Sequence, residues 1–250
     1  MNNIFAVGIG PGDPGVLTPQ AREVLGACTT VAGYKLYLDQ IAPLLEGKKL
    51  IPGAMRQEVE RCRLALDAVL AGEVTAVVSS GDAGVYGMAG LLLELTGEPR
   101  YADIEVTVIP GVTAALACGA LVGAPFMNDF AVLSLSDLMT PAELIRRRVK
   151  AAAGADLPTA LYNPASSKRH ELLEFAVGEF RRAGGEDLPC AVISNACRPS
   201  QKITVTRLKD FPFGEVTMTS LVIIGCSRTV LRNGKMFSLR GYGVKYGVGN

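Results

Sequence analysis

The chain has 250 residues, 49% hydrophobic and 20% charged, a balance that suits one large or two modest globular domains and speaks against disorder. Lysines and arginines nearly cancel the acids, leaving a formal net charge of +1, so no global basic field marks a nucleic-acid binder and any anionic partner must be met locally. The opening MNNIFAVGIGPGDPG lacks a charged region ahead of a long apolar run, and no stretch reaches about 18 uninterrupted apolar residues, so neither a membrane span nor a leader is expected and a cytoplasmic protein is.

Taken in chain order, IFAVGIG (4–10) reads as a strand ending in glycine, and TPQAREVLGAC after it carries apolar residues at helical spacing. The pattern repeats with TTVAGY as strand, LYLDQIAPLL and RQEVERCRLALDAVLAGE as helices, and VTAVVSS as strand. GMAGLLLELTG follows as helix, IEVTVIP as strand and GVTAALACGALVG as helix. Strands alternating with helices predict βα units and a mainly parallel sheet, apolar because both faces are covered.

After about residue 125 the texture changes. FAVLSLSD, PTALYNP, CAVISNACR and SLVIIGCS read as strands between the helices PAELIRRRVKAAAG and SKRHELLEFAVGEFRRAGG, and QKITVTRLKDF reads as a strand with an antiparallel partner. With Pro125 and Asn128 as punctuation, the expected organisation is two α/β domains. The first, 1–125, has a mainly parallel sheet and the second, 126–242, a mixed one; the glycine-rich 243–250 is a loose tail.

The six cysteines are scattered without a C-x-x-C pair and sit mostly in apolar surroundings, the pattern of reduced, buried thiols. A single histidine, His170, argues against a histidine-based metal site and reads as a surface or helix-start residue.

GIGPGDPG (8–15), SSGDAGV and IPGVTAA all fall where parallel strands end, the preferred ligand edge of such sheets. The first is no dinucleotide fingerprint, since Gly8, Gly10 and Gly12 are spaced by two and Pro11 removes a donor; on its own it is a tight turn. Asp82 serves either as the cap of a helix starting near Val85 or as an acceptor for a ligand hydroxyl or ammonium, with glycines allowing close backbone approach. Thr113 is likewise either a cap or the wall of a site for a flat ligand.

VGIGPGDPGVLT, SSGDAGVYGMAG, IPGVTAALA and MTSLVIIG, in this order, resemble the tetrapyrrole (class III) S-adenosylmethionine-dependent methyltransferases. VAGYKLYL, SLSDLMTP, LYNPASSKR and RGY are similar to its ring-contracting branch, the precorrin-3B or cobalt-precorrin-3 C17-methyltransferases of cobalamin biosynthesis; the resemblance covers roughly residues 4–242. It implies two α/β domains with a cofactor cleft between them and a homodimer. It also implies S-adenosylmethionine contacts at Pro11, Gly81, Asp82, Val85, Thr113 and Ala114, and from the second domain at Tyr162, Asn163, Ala196, Thr219 and Ser220. Relatives often carry G-D-P where this chain has Gly81, Asp82 and Ala83.

Methyl transfer from a sulfonium is an in-line displacement that asks the protein for alignment and exclusion of water, with no protein-bound metal expected. Ring contraction adds a need for an acid or base, for which Tyr34, Lys35 and Asp137 are the candidates, Asp137 competing with a loop-capping role. The implied substrate is an anionic tetrapyrrole, so Arg56, Arg61, Arg63, Lys168 and Arg169 are candidates for its carboxylates, ahead of Arg146, Arg147 and Arg148 on a solvated helix face. The cobalt-loaded ring is favoured over the metal-free one, with cobalt part of the substrate. Alternatives are a methyltransferase for another precorrin carbon, uroporphyrinogen or a diphthine-type substrate, a nucleotide-binding oxidoreductase, and a non-catalytic tetrapyrrole carrier.

Overall fold

A computed structural model describes residues 2–54, 56–165 and 170–247. The chain divides into two compact units, the first ending at Ala114 and the second beginning at Ala115. A boundary near residue 125 assigns the helix after Thr113 to the first unit, whereas nearly all of that helix counts with the second.

In the first unit, strands β1 (Asn3–Gly8), β2 (Thr30–Tyr34), β3 (Lys49–Gly53), β4 (Thr75–Ser79) and β5 (Glu105–Ile109) alternate with helices α1 (Pro19–Ala27), α2 (Lys35–Gln40), α3 (Glu58–Leu70) and α4 (Ala89–Leu95). The strands form one five-stranded parallel sheet in the order β3-β2-β4-β1-β5.

Period-two alternation sorts its residues between two helical layers. Ile4, Ala6, Ala32 and Val77 pack with Cys62, Leu66 and Val69 of α3 and Leu92 of α4. Val7, Val31, Ala76 and Val78 pack on the opposite face with Ala21 and Leu25 of α1 and Leu38 of α2. Helix α2 stops at Gln40, short of the expected 36–45 span, because Pro43 breaks the ladder and the chain continues as a 3-10 turn over Ala42–Leu44.

The second unit begins one residue into α5 (Ala114–Val122), which leads to β6 (Gly123–Ala124). It continues through β7 (Ala131–Ser134), α6 (Ala142–Gly154), β8 (Thr159–Tyr162), α7 (Glu171–Gly184), β9 (Pro189–Ser194), β10 (Lys202–Arg207) and β11 (Ser220–Ile224). The sheet order is β10-β9-β11-β8-β7, with only the β7–β8 pair parallel, so this sheet is mixed as expected. Leu161, Val192, Val222 and Ile224 meet Ile145 and Val149 of α6 and Leu173, Val177 and Phe180 of α7 in one apolar core.

A three-stranded sheet, β12 (Thr229–Arg232), β13 (Lys235–Ser238) and β6, completes the unit, followed by the short helix α8 (Tyr242–Tyr246), which runs into the segment expected to be loose. His170 is exposed at the start of α7. Lys168 and Arg169 lie outside the described residues.

Burial pushes the thiols of Cys28 and Cys62 up to about 11 and those of Cys118 and Cys190 up to about 12, which keeps all four protonated at neutral pH. Among the described residues no helix is long and apolar enough to cross a membrane.

Candidate functional site

The loops that follow β1, β4 and β5 meet at one edge of the parallel sheet because their backbones touch directly. Gly10 and Gly81 exchange both backbone hydrogen bonds, at 3.0 and 2.8 Å, and the Ile9 N–H donates to the Ser79 carbonyl at 2.9 Å. This approach demands glycine. A Cβ on Gly111 would lie 2.1 Å from the Gly81 carbonyl oxygen, and one on Gly8 would lie 2.7 Å from the Gly111 nitrogen. Gly81 itself has φ +70°, in the left-handed region that other residues enter at a cost.

Asp82 locks two of these loops, those after β4 and β5. Its Oδ1 accepts the Gly84 N–H at 2.8 Å, closing a turn within its own loop, and its Oδ2 accepts the Gly111 N–H at 2.9 Å from the next. Thr18 ties in α1: its hydroxyl accepts the Ala21 N–H at 3.1 Å as a helix cap and donates to the Pro110 carbonyl at 3.2 Å. Pro11 is buried, and Val85, Thr113 and Ala114 are half-buried in these loops, so all six residues expected from the first unit share one edge. Their small side chains leave backbone groups within reach at this edge, a donor set that suits a ligand held through amides and carbonyls.

The five residues expected from the second unit also gather at one sheet edge. Tyr162 and Asn163 end β8, Ala196 follows β9, and Thr219 and Ser220 lead into β11, which runs antiparallel to both strands. The Tyr162 hydroxyl accepts the Ala115 N–H at 2.7 Å, and Asn163, at φ +51°, donates from Nδ2 to the Ser134 hydroxyl at 3.0 Å. The Asn195 N–H donates to the Thr219 carbonyl at 3.2 Å, which sets Ala196 beside the TMTS turn. Ser220 is buried, and its hydroxyl meets Ser194 at 2.6 Å and accepts the Thr217 N–H at 2.8 Å, so its side chain is spent on holding the turn. Tyr162→Phe is expected to lower stability by about 1 kcal/mol, since the Ala115 N–H loses its acceptor; urea denaturation measures it.

Of the candidate acids and bases, Tyr34 ends β2 and lines a cleft of the first unit with Tyr37, Ser79, Tyr86 and Met88; its ring meets Tyr37 edge-on at 5.3 Å. Lys35 faces away on α2, where its ammonium pairs with Asp39 at 3.1 Å and its side chain is 73% exposed. Asp137 is exposed in the second unit, after β7.

Arg63 pairs with Glu98 at 2.7 Å on the surface, and Arg146 stacks over Phe175 at 4.6 Å. Sequence reasoning passed over the burial of Arg61 in the wall of the Tyr34 cleft, and nothing in a helix rich in charge announces it.

Residues 3–212 match the family described as Tetrapyrrole (Corrin/Porphyrin) Methylases. A Salmonella typhimurium protein named "Probable cobalt-factor III C(17)-methyltransferase" is 42% identical over 239 residues, 96% of this chain and 99% of that protein. The "Cobalt-factor III methyltransferase" of Priestia megaterium is 39% identical over 97% of this chain, which spans 46% of that longer protein. Among solved structures, the methyltransferase CobJ superposes with a TM-score of 0.89 at 33% identity, covering 94% of this chain and 99% of that one.

Proposed function

The chain belongs to the tetrapyrrole (corrin/porphyrin) methylase family, and from that premise we propose that it methylates C17 of a cobalt-loaded precorrin-3-level ring with S-adenosylmethionine, with contraction of the macrocycle, in cobalamin biosynthesis. The observation that carries this reading is the 42% identity, over nearly the full length of both chains, to a protein named for that reaction. The relatives favour it over methylation of another tetrapyrrole carbon and over an oxidoreductase. The same reading has the chain working in the cytoplasm as a homodimer, which the family resemblance supports.

S-adenosylmethionine, when bound, supplies an electrophilic methyl group on a sulfonium. We assign its binding to Pro11, Gly81, Asp82, Val85, Thr113 and Ala114 of the first unit and to Tyr162, Asn163, Ala196, Thr219 and Ser220 of the second. The glycine cradle supports the first set, since backbone groups can approach a ligand there without intervening side chains. In this assignment Asp82 and Ser220 act by fixing the loops that make the contacts, as their hydrogen bonds indicate.

The chain's task is alignment and exclusion of water, which together lower the barrier without a covalent nucleophile. Attack by the enamine-like C17 leaves positive charge on the ring, and losing a proton relieves it. Tyr34 is the better-placed of the three candidates to exchange a proton, because it lines a cleft, while Lys35 is engaged by Asp39.

Incubation with methyl-labelled S-adenosylmethionine and each of the two C20-methylated rings, cobalt-loaded and metal-free, tests the reading by product mass. A gain of one methyl on the cobalt-loaded ring is expected. Transfer only to the metal-free ring, or to neither ring, overturns it.

A further inference from the structure

Helix α3 carries an arginine that the fold buries but does not neutralise. Arg61 is 5% exposed, yet among the described residues its guanidinium forms no ion pair with a carboxylate. Nη1 donates to the Ala54 carbonyl at 3.3 Å, Nη2 reaches only the thioether of Met88 at 3.8 Å, and the buried Nε–H has no acceptor. An arginine presents five N–H donors and stays charged, so a site that meets them with one carbonyl and one weak sulfur acceptor is electrostatically incomplete.

Glu58, one helical turn earlier on the same cleft wall, does not complete it: its Oε1 accepts the Arg56 N–H at 3.1 Å. The room for the guanidinium comes from the end of β3, where a Cβ on Gly53 would lie 2.3 Å from Nη1.

The other walls of this cleft are aromatic and hydroxylic, from Tyr34, Tyr37, Tyr86, Ser79 and Ser80. A flat, apolar ring with acidic side chains matches such a wall and such a cation at once.

We propose that Arg61 is the specificity-determining receptor for one peripheral carboxylate of the tetrapyrrole, which docks on the Nε–Nη2 edge of the guanidinium as the Met88 side chain swings aside. The proposal rests on the methyltransferase reading for the identity of its ligand. Methionine suits the gate, being unbranched and easily repacked. The two parallel N–H donors of that edge explain why arginine, rather than lysine, serves here.

The test uses the full chain, a cobalt corrin with free peripheral carboxylates and the same corrin fully methyl-esterified, with binding followed by the corrin absorbance. Arg61→Lys is expected to weaken binding of the free acid on the order of tenfold to a hundredfold, the range for a lost charge-assisted hydrogen-bonded pair, while ester binding and S-adenosylhomocysteine affinity stay unchanged. Gly53→Ala, which displaces the guanidinium and leaves its charge, is expected to act in the same direction, and it carries the test if the Arg61 variant fails to fold.

Equal affinity of wild type and both variants for the free acid overturns the proposal, as does failure of wild type to bind the acid more tightly than the ester. These outcomes are separate from the methyl-transfer assay: an intact KM for the ring in Arg61→Lys sinks the receptor and leaves the reaction standing. Absence of turnover in wild type, with acid binding still dependent on Arg61, sinks the reaction alone.

Discussion

Gly111→Ala is expected to abolish S-adenosylhomocysteine binding and to cost about 4 kcal/mol or more of stability, beyond the range of most single substitutions. The added carbon would sit 2.1 Å from the Gly81 carbonyl oxygen and 2.7 Å from the Gly8 carbonyl carbon. Both are backbone atoms of neighbouring strand ends, so no side chain can rotate away and the loops themselves must separate. Gly90→Ala is the control: Gly90 is exposed in helix α4 with nothing within 4 Å of its Cβ position, and a gain of roughly 0.5 kcal/mol is expected there from helix propensity. Denaturant melts of the two variants, with calorimetric titration of S-adenosylhomocysteine, read both effects. Near-native stability and affinity in Gly111→Ala would mean that the loops are not locked as described.

Asp82→Ala removes both carboxylate acceptors, one inside its loop and one across to the loop after β5. Hydrogen bonds to a charged group are each worth about 1.5–3 kcal/mol, and the half-buried Gly111 N–H is left without its carboxylate partner, so a stability loss of about 2–4 kcal/mol is expected. Affinity for S-adenosylhomocysteine should fall at least about tenfold with it, because the loops that form the cradle lose their common brace. Asp82→Asn separates the two bonds: its single amide oxygen can serve Gly84 or Gly111, and its NH2 group faces the remaining N–H as a second donor. It should fall between wild type and Asp82→Ala in both measurements. If affinity collapses while the melt is unchanged, Asp82 touches the ligand directly and is no brace.

The sequence made the parallel sheet legible because buried strands such as IFAVGIG and VTAVVSS are continuous apolar runs set between helices of clear 3.6-residue period. It concealed β3, whose KLIPG is mostly exposed and contains Pro52, since an edge strand needs neither an apolar face nor every N–H. The β12–β13 hairpin was readable and went unread: Arg232 pairs with Lys235 around Asn233 and Gly234, at φ +52° and +71°, an Asn-Gly turn of the type that hairpin twist favours.

At the candidate site, the glycines and Asp82 stood out in sequence as a group. The division of labour among them did not, because which N–H a carboxylate accepts depends on loops that are far apart in the chain. Arg61 was one basic residue among several on and around α3, and only its burial distinguishes it.

The backbone interlock of Gly8, Gly81 and Gly111 also bears on how such a chain can change its substrate. A junction made of main chain offers no side chain to vary, so mutation there is closed in every direction except loss. Diversification is therefore confined to the walls, where Met88 and Tyr86 can be exchanged without disturbing the junction. A library restricted to those wall positions should yield many folded variants with altered ring preference, whereas one spread over the three glycines should yield almost none.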